Sequence, residues 1–152
     1  MDNQDQTFEV MRACLLAGKI MLQSGAETYR VEDTMSRMAS AFGIDQTHSY
    51  VTPTGIIFSV EGVGPERTKL VRISERTTDL RKVAMVNSVS RKISSGEVGL
   101  KEACKLLGEI EEANLTYSFM IQILAAAIAS GCFTIMFMGS WLDFLPSMAA
   151  GG

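Results

Sequence analysis

The stretch LTYSFMIQILAAAIASGCFTIMFM, Leu115 to Met138, decides how this chain folds. No charged side chain lies between Ala113 and Leu142. A bilayer core is about 30 Å thick and takes about 20 apolar residues in helical form. The stretch is therefore long enough to cross a membrane as a single helix over 115–138, with lipid as its surroundings. A helix of a water-soluble domain needs no such length of unbroken apolar surface.

Reading outward from it, the residues on the N-terminal side are of a different kind. All 14 Lys and Arg lie between Arg12 and Lys105, and 16 of the 17 acidic residues lie at or before Glu112. Residues 1–112 thus carry a net charge of −2 with mixed signs. This is the composition of an ordinary water-soluble domain. It holds no concentrated cationic run, which argues against nucleic acid as a partner. The first residues, MDNQDQ, are polar and acidic and lack the basic and apolar regions of a secretory signal. The basic residues all precede the span, which orients residues 1–112 toward the cytoplasm by the positive-inside rule. Cys14, Cys104 and Cys132 share no metal-ligand or redox spacing and read as small apolar residues in a reducing compartment.

The local patterns divide the soluble part further. After a polar tail, 1–7, helical spacing runs from Phe8 to Gln23 with Phe8, Met11, Leu15, Gly18 and Leu22 on one stripe. Ser24-Gly25 breaks it. A second helix over Ala26 to Phe42 places Val31, Met35, Met38 and Phe42 inward, with Gly43 as its C-cap. The short break predicts a helical hairpin or one kinked helix. Three short β-rich runs follow: Thr47–Thr52, Gly55–Val60 and Thr68–Ile73, separated by Pro53-Thr54-Gly55 and Gly62-Val63-Gly64-Pro65. They predict a three-stranded antiparallel sheet. Thr77-Thr78-Asp79 caps a third helix with Leu80, Val83, Val86 (or Asn87), Ser90 and Ile93 on a weaker stripe, up to Ser94-Ser95-Gly96. Leu100, Ala103, Cys104, Leu107 and Ile110 mark a fourth. The reading is an α+β domain over 8–112, with Asn114 leading into the span.

On the C-terminal side, Trp141 suits a membrane–water interface. Residues 142–152 are apolar and rich in small side chains, and read as the start of a truncated second transmembrane helix. A helix entering a bilayer does not stop midway without leaving backbone groups unsatisfied. The chain is therefore expected to be a fragment of a longer protein.

The order of these segments and the wording of three of them resemble the N-terminal part of the threonine/serine exporter family of bacterial membrane proteins. The three are Leu16-Ala17-Gly18 followed by Ser24-Gly25-Ala26-Glu27-Thr28-Tyr29-Arg30-Val31-Glu32, then Val51-Thr52-Pro53-Thr54-Gly55-Ile56-Ile57-Phe58-Ser59, then Gly139-Ser140-Trp141-Leu142-Asp143. The resemblance covers the chain from about Phe8 onward. It implies a cytoplasmic α+β domain followed by a bundle of membrane helices in the bacterial plasma membrane, on one polypeptide or split with a partner membrane subunit. It also implies export of a small polar metabolite, either threonine and serine or a dicarboxylate, driven by the proton motive force. Most of the membrane portion of that pattern is missing here.

The polar candidates follow from this frame. Glu27 and Arg30 are three apart and can touch on one helical face, whereas Glu32 lies about 140° round the helix from Glu27. One reading makes them first-turn acids that complement the helix dipole, with a weak surface pair. The other, from the resemblance, makes them a family motif coupling the cytoplasmic domain to the membrane part. Asp143, the only acid beyond the span, either carries protons along a path or caps the second helix from an interfacial loop. Gln122, with Ala126, Ala129 and Ser130, lies on a small or polar side of the span that packs another helix or contacts substrate. His48 is alone, with no partner at ligand spacing, so no metal or other cofactor is expected. Pro53-Thr54-Gly55 lacks the Gly-Lys-Ser/Thr of a phosphate loop, and no GxSxG or HExxH string occurs. The chain does not read as an enzyme. Three functions compete: part of a secondary exporter, a membrane-anchored binding or regulatory domain, and, last, a membrane-tethered enzyme. The exported compound and the oligomeric state are not encoded in any of these patterns.

Overall fold

The computed structural model describes residues 3–61, 65–113 and 118–151. They form two compact units, divided between Asn114 and Leu115. The predicted turn residues Gly62-Val63-Gly64, Asn114, and the first three residues of the Leu115 to Met138 stretch lie outside the described residues.

The first unit is built on helix α1 (Asn3–Gln23), followed by α2 (Thr28–Ala41) and the strands β1 (Gln46–Thr52), β2 (Gly55–Glu61) and β3 (Arg67–Arg72). Helices α3 (Leu80–Ser94) and α4 (Leu100–Glu112) complete it. The α1 helix starts five residues before Phe8, taking in part of what the sequence marks as a polar tail. Exposed first turns carry no apolar stripe, so periodicity detects only the buried part of a helix. Over its inner length α1 is buried on more than one face: Val10, Met11, Ala13, Cys14, Ala17, Ile20, Met21 and Leu22 are all in the core. It packs against α2, α3, α4 and β2. Phe8, placed inward by the sequence, is half-exposed at the rim.

The α1–α2 connection is a hairpin, with the two helices packed on one another. Gly18 permits the close approach: a Cβ there would sit 2.4 Å from Met35 Sδ and 3.2 Å from Ile56 Cδ1. Val31, Met35 and Met38 of α2 are fully buried, and Gly43 ends the helix at positive φ, as its position predicts.

The sheet is an antiparallel meander in the order β1-β2-β3. Thr52 pairs with Gly55, so Pro53-Thr54 is a two-residue hairpin turn. Ile56, Phe58 and Val60 of β2 point into the core, and Phe58 is among its largest fully buried side chains. Burying a side chain of that size contributes about 1.5–3 kcal/mol. Asp79 caps α3 by accepting from the backbone N–H groups of Arg81 and Lys82, as read from the sequence. Leu80, placed on the α3 stripe, is exposed instead, because the first turn of α3 overhangs the core.

The second unit is a helical pair, α5 (Phe119–Met136) and α6 (Trp141–Gly151). The α5 helix is the one described helix long and apolar enough to cross a membrane, with a mean hydropathy of 2.0 and almost no burial. The two helices pack through small residues: Gly131 faces Phe144 and Met148, and Ser130 Oγ donates to the Ser147 carbonyl at 2.8 Å. Of the side read from the sequence as a packing face, Ser130 hydrogen-bonds to α6 and the Ala126 carbonyl lies near Gly151, while Gln122, Ala126 and Ala129 are exposed residues. Contact centres on Gly131 because the missing side chain there admits the Phe144 ring.

Candidate functional site: the clamped turn between the first two helices

Ser24 to Glu32 forms the turn and first coil of the α1–α2 hairpin. The last carbonyls of α1 have no partner within the helix and need donors from elsewhere. Gly25, at φ +90°, lets the chain reverse so that Ala26 N–H reaches Met21 O at 3.0 Å and Gly25 N–H reaches Leu22 O at 3.3 Å. The β3–α3 segment supplies the rest. Arg76 Nε donates to Leu22 O at 3.2 Å, Thr77 N–H to Gln23 O at 2.7 Å and Asp79 N–H to Ser24 O at 3.1 Å. A Cβ on Gly25 would lie 3.2 Å from Thr77 O, so the two segments are in close contact. The turn is thus held from both sides. Arg76 and Thr77 are each 54 residues from their partners; the sequence marks Thr77 only as part of the α3 cap cluster and does not mark Arg76.

The three polar side chains of this turn are not brought to one point. Glu27 stands at the N-cap position with extended backbone, φ −71° and ψ 142°, ahead of the α2 face on which Arg30 lies. No Glu27–Arg30 ion pair forms. The Glu27 carboxylate instead acts on the Tyr29 hydroxyl, and the acid's hydrogen bonding and charge push the phenol up from its ordinary value. Glu27, Tyr29 and Arg30 are all exposed. Glu32 turns away from them: its Oε1 accepts the backbone N–H of Val51 at 2.8 Å. The turn therefore presents Glu27, Tyr29 and Arg30 outward on a fixed backbone, while Glu32 anchors α2 to the edge strand β1. Tyr29 is the member that charge-based reading missed.

The remaining candidates separate in the same way. Asp143 Oδ2 accepts the Ser140 N–H at 3.1 Å, and Ser140 Oγ accepts the Leu142 N–H at 3.2 Å, a reciprocal cap at the start of α6. Gln122 lies on the exposed side of α5. His48 is exposed with its Nε2 3.7 Å from Glu61 Oε1. Among the described residues no cluster of His, Cys, Asp or Glu could hold a metal ion.

The sequence from residue 12 to 152 matches the model of a family described as "Putative threonine/serine exporter". A threonine/serine exporter of Corynebacterium glutamicum is 27% identical over 146 residues, covering 93% of this chain and 29% of that protein. The "Probable succinate transporter subunit YjjP" of Escherichia coli is 24% identical over 137 residues, covering 90% of this chain and 53% of its own length. A "Probable threonine/serine exporter" of Mycobacterium tuberculosis is 24% identical over 148 residues, covering 96% of this chain and 28% of its own. The chain thus spans between about a quarter and a half of these relatives. No solved structure matches it.

Proposed function

Because this chain belongs to the threonine/serine exporter family, a family of transporters and not of enzymes, we propose that it forms the N-terminal part of a secondary exporter of small polar metabolites. Threonine, serine or a dicarboxylate such as succinate is the cargo class, by the names of its relatives. The observation that carries the proposal is α5, an uncharged helix of membrane-spanning length placed directly after a folded α+β unit. In this reading residues 8–112 are a cytoplasmic domain in a bacterial plasma membrane protein. The α5–α6 pair opens a larger bundle, completed by further helices of the same polypeptide or by a partner membrane subunit. Gln122, on the exposed side of α5, is then a contact point for those helices or for substrate.

The Glu27-Tyr29-Arg30 surface is the part of the domain best suited to couple it to the membrane bundle. Its side chains are exposed, and the clamped turn holds their backbone still, so a partner meets a pre-organised surface and little ordering entropy is lost on docking. The proton motive force is the driving force that a carrier of charged or zwitterionic solutes would draw on.

The test is efflux of labelled threonine, serine and succinate from preloaded bacterial cells carrying the complete transporter that contains this chain. Efflux of at least one above the level of cells without it is expected. Equal efflux of all three, with the protein demonstrably in the membrane, would overturn the exporter reading in favour of a membrane-anchored regulatory domain.

A further inference from the structure

A second polar cluster lies away from the clamped turn, where the N-terminal half of α1 meets β3 and α4. Three cations surround the Phe8 ring: Arg67 at 5.7 Å from its centroid, and Arg12 and Lys69 each at 6.0 Å. No two of them can then be more than about 12 Å apart, so three like charges share one small region of the surface. Arg12 has a partner in Glu9 at 2.9 Å, but Arg67 and Lys69 make no ion pair among the described residues. The aromatic face offsets part of this repulsion, since each exposed cation–π contact contributes only about 0.5–1 kcal/mol.

Beside the cluster is an open groove of about 380 Å³. Arg12 and Lys69 line one part of it, Leu16 and Val71 give it an apolar floor, and Cys104 is in its wall. Its two carboxylates are already held: Glu9 by Arg12, and Glu111 by Lys19 at 2.8 Å. The uncompensated charge of the groove is therefore positive, next to a surface that accepts a carbon skeleton.

We propose that this groove binds a small organic dianion, with Lys69 in its lining and Arg67 beside it holding the charged groups, and Leu16 and Val71 meeting its carbon chain. The site lies wholly in the first unit. It gives the domain a means of sensing a metabolite.

Cys104 supplies the readout, because it lines the groove while Cys14 is buried in the core. The full-length protein in detergent is treated with iodoacetamide at constant ionic strength, and modification of the Cys104 peptide is followed by mass spectrometry. Succinate in one arm and glycerol phosphate in another distinguish a carboxylate from a phosphate ligand. Saturable protection by at least one is expected, reaching about tenfold slowing when the groove is about nine-tenths occupied. R67Q/K69Q should lose that protection while Cys14 stays unmodified, which shows that the core is intact. If the double variant opens Cys14, the single variants R67Q and K69Q take its place. No protection by either anion, or full protection persisting in a variant with Cys14 still closed, overturns the proposal. Transport is not read in this experiment, so its outcome is independent of the exporter assignment.

Discussion

Glu32 Oε1 accepts the backbone N–H of Val51 at 2.8 Å, tying the first coil of α2 to the edge strand β1. An edge strand presents a row of N–H groups with no strand partner, and Glu32 occupies one of them from inside the molecule. Glu32→Ala removes the acceptor and is expected to cost about 1–2 kcal/mol of stability, whereas Glu32→Gln keeps a neutral acceptor and costs less. Hydrogen exchange at the Val51 amide checks the origin: it should accelerate in Glu32→Ala with little change at Val60, deep in the sheet. Unchanged exchange at Val51 would show that the contact is not formed in solution.

Much of this domain is legible in the sequence because its core follows simple periods. The Val31-Met35-Met38 stripe, the Asp79 cap, the Pro53-Thr54 turn and the three-strand meander are all local patterns, and local patterns survive folding. What is not legible is set by distance along the chain. Arg76 and Thr77 clamp the α1–α2 turn from 54 residues away. Glu32 is drawn out of the motif by a strand 19 residues on. Glu27 pairs with Tyr29 and not with Arg30 because the N-cap residue has left the helical spiral on which the i,i+3 rule rests. Phe8 and its cations converge only once β3 has folded back beside α1.

Gly18 sets the spacing of α1 from α2 and the sheet. Valine there has no room beside the fully buried Met35 and Ile56. Gly18→Val should lower stability by about 1–3 kcal/mol through overpacking. The measurement is a thermal melt of the two proteins in the same detergent. An unchanged or higher midpoint would mean that the α1–α2 contact is looser than described.

Cys14 gives the domain a pH dependence at the alkaline end. Burial is the main cause pushing its thiol from the ordinary 9.0 up to about 12, with the neighbouring Cys104 adding to it. Above pH 9 the unfolded chain loses this proton and the folded chain keeps it, so ionisation favours unfolding. The contribution of the neutral thiol is complete below pH 9 and is lost as pH rises toward about 12, with a slope of about 1.4 kcal/mol per pH unit. Denaturant unfolding between pH 8 and pH 11 should therefore show a shallower decline in Cys14→Ala than in the wild type. Parallel curves would place the thiol in contact with water.

Asp143 and Ser140 cap α6 reciprocally, and this arrangement needs a hydrogen-bond acceptor at 143. Asp143→Asn keeps an acceptor and should leave efflux and its pH dependence as in the wild type. Asp143→Ala should weaken the helix start by about 1 kcal/mol. A shifted pH profile in Asp143→Asn would instead make this carboxylate part of a proton path.

The proposed docking of Glu27, Tyr29 and Arg30 on the membrane part of the exporter is the step on which coupled transport depends. Its most direct test is substrate efflux from proteoliposomes holding the complete transporter under an imposed proton gradient, with wild type, Glu27→Gln and Arg30→Gln compared at equal protein content. The account predicts gradient-dependent efflux of threonine, serine or succinate by the wild type, falling about tenfold or more in either variant while insertion and thermal stability stay the same, the loss of one docking contact being about 1.4 kcal/mol or more. Wild-type efflux in both variants would contradict the coupling role of this surface, and no efflux from the wild type would contradict the exporter itself.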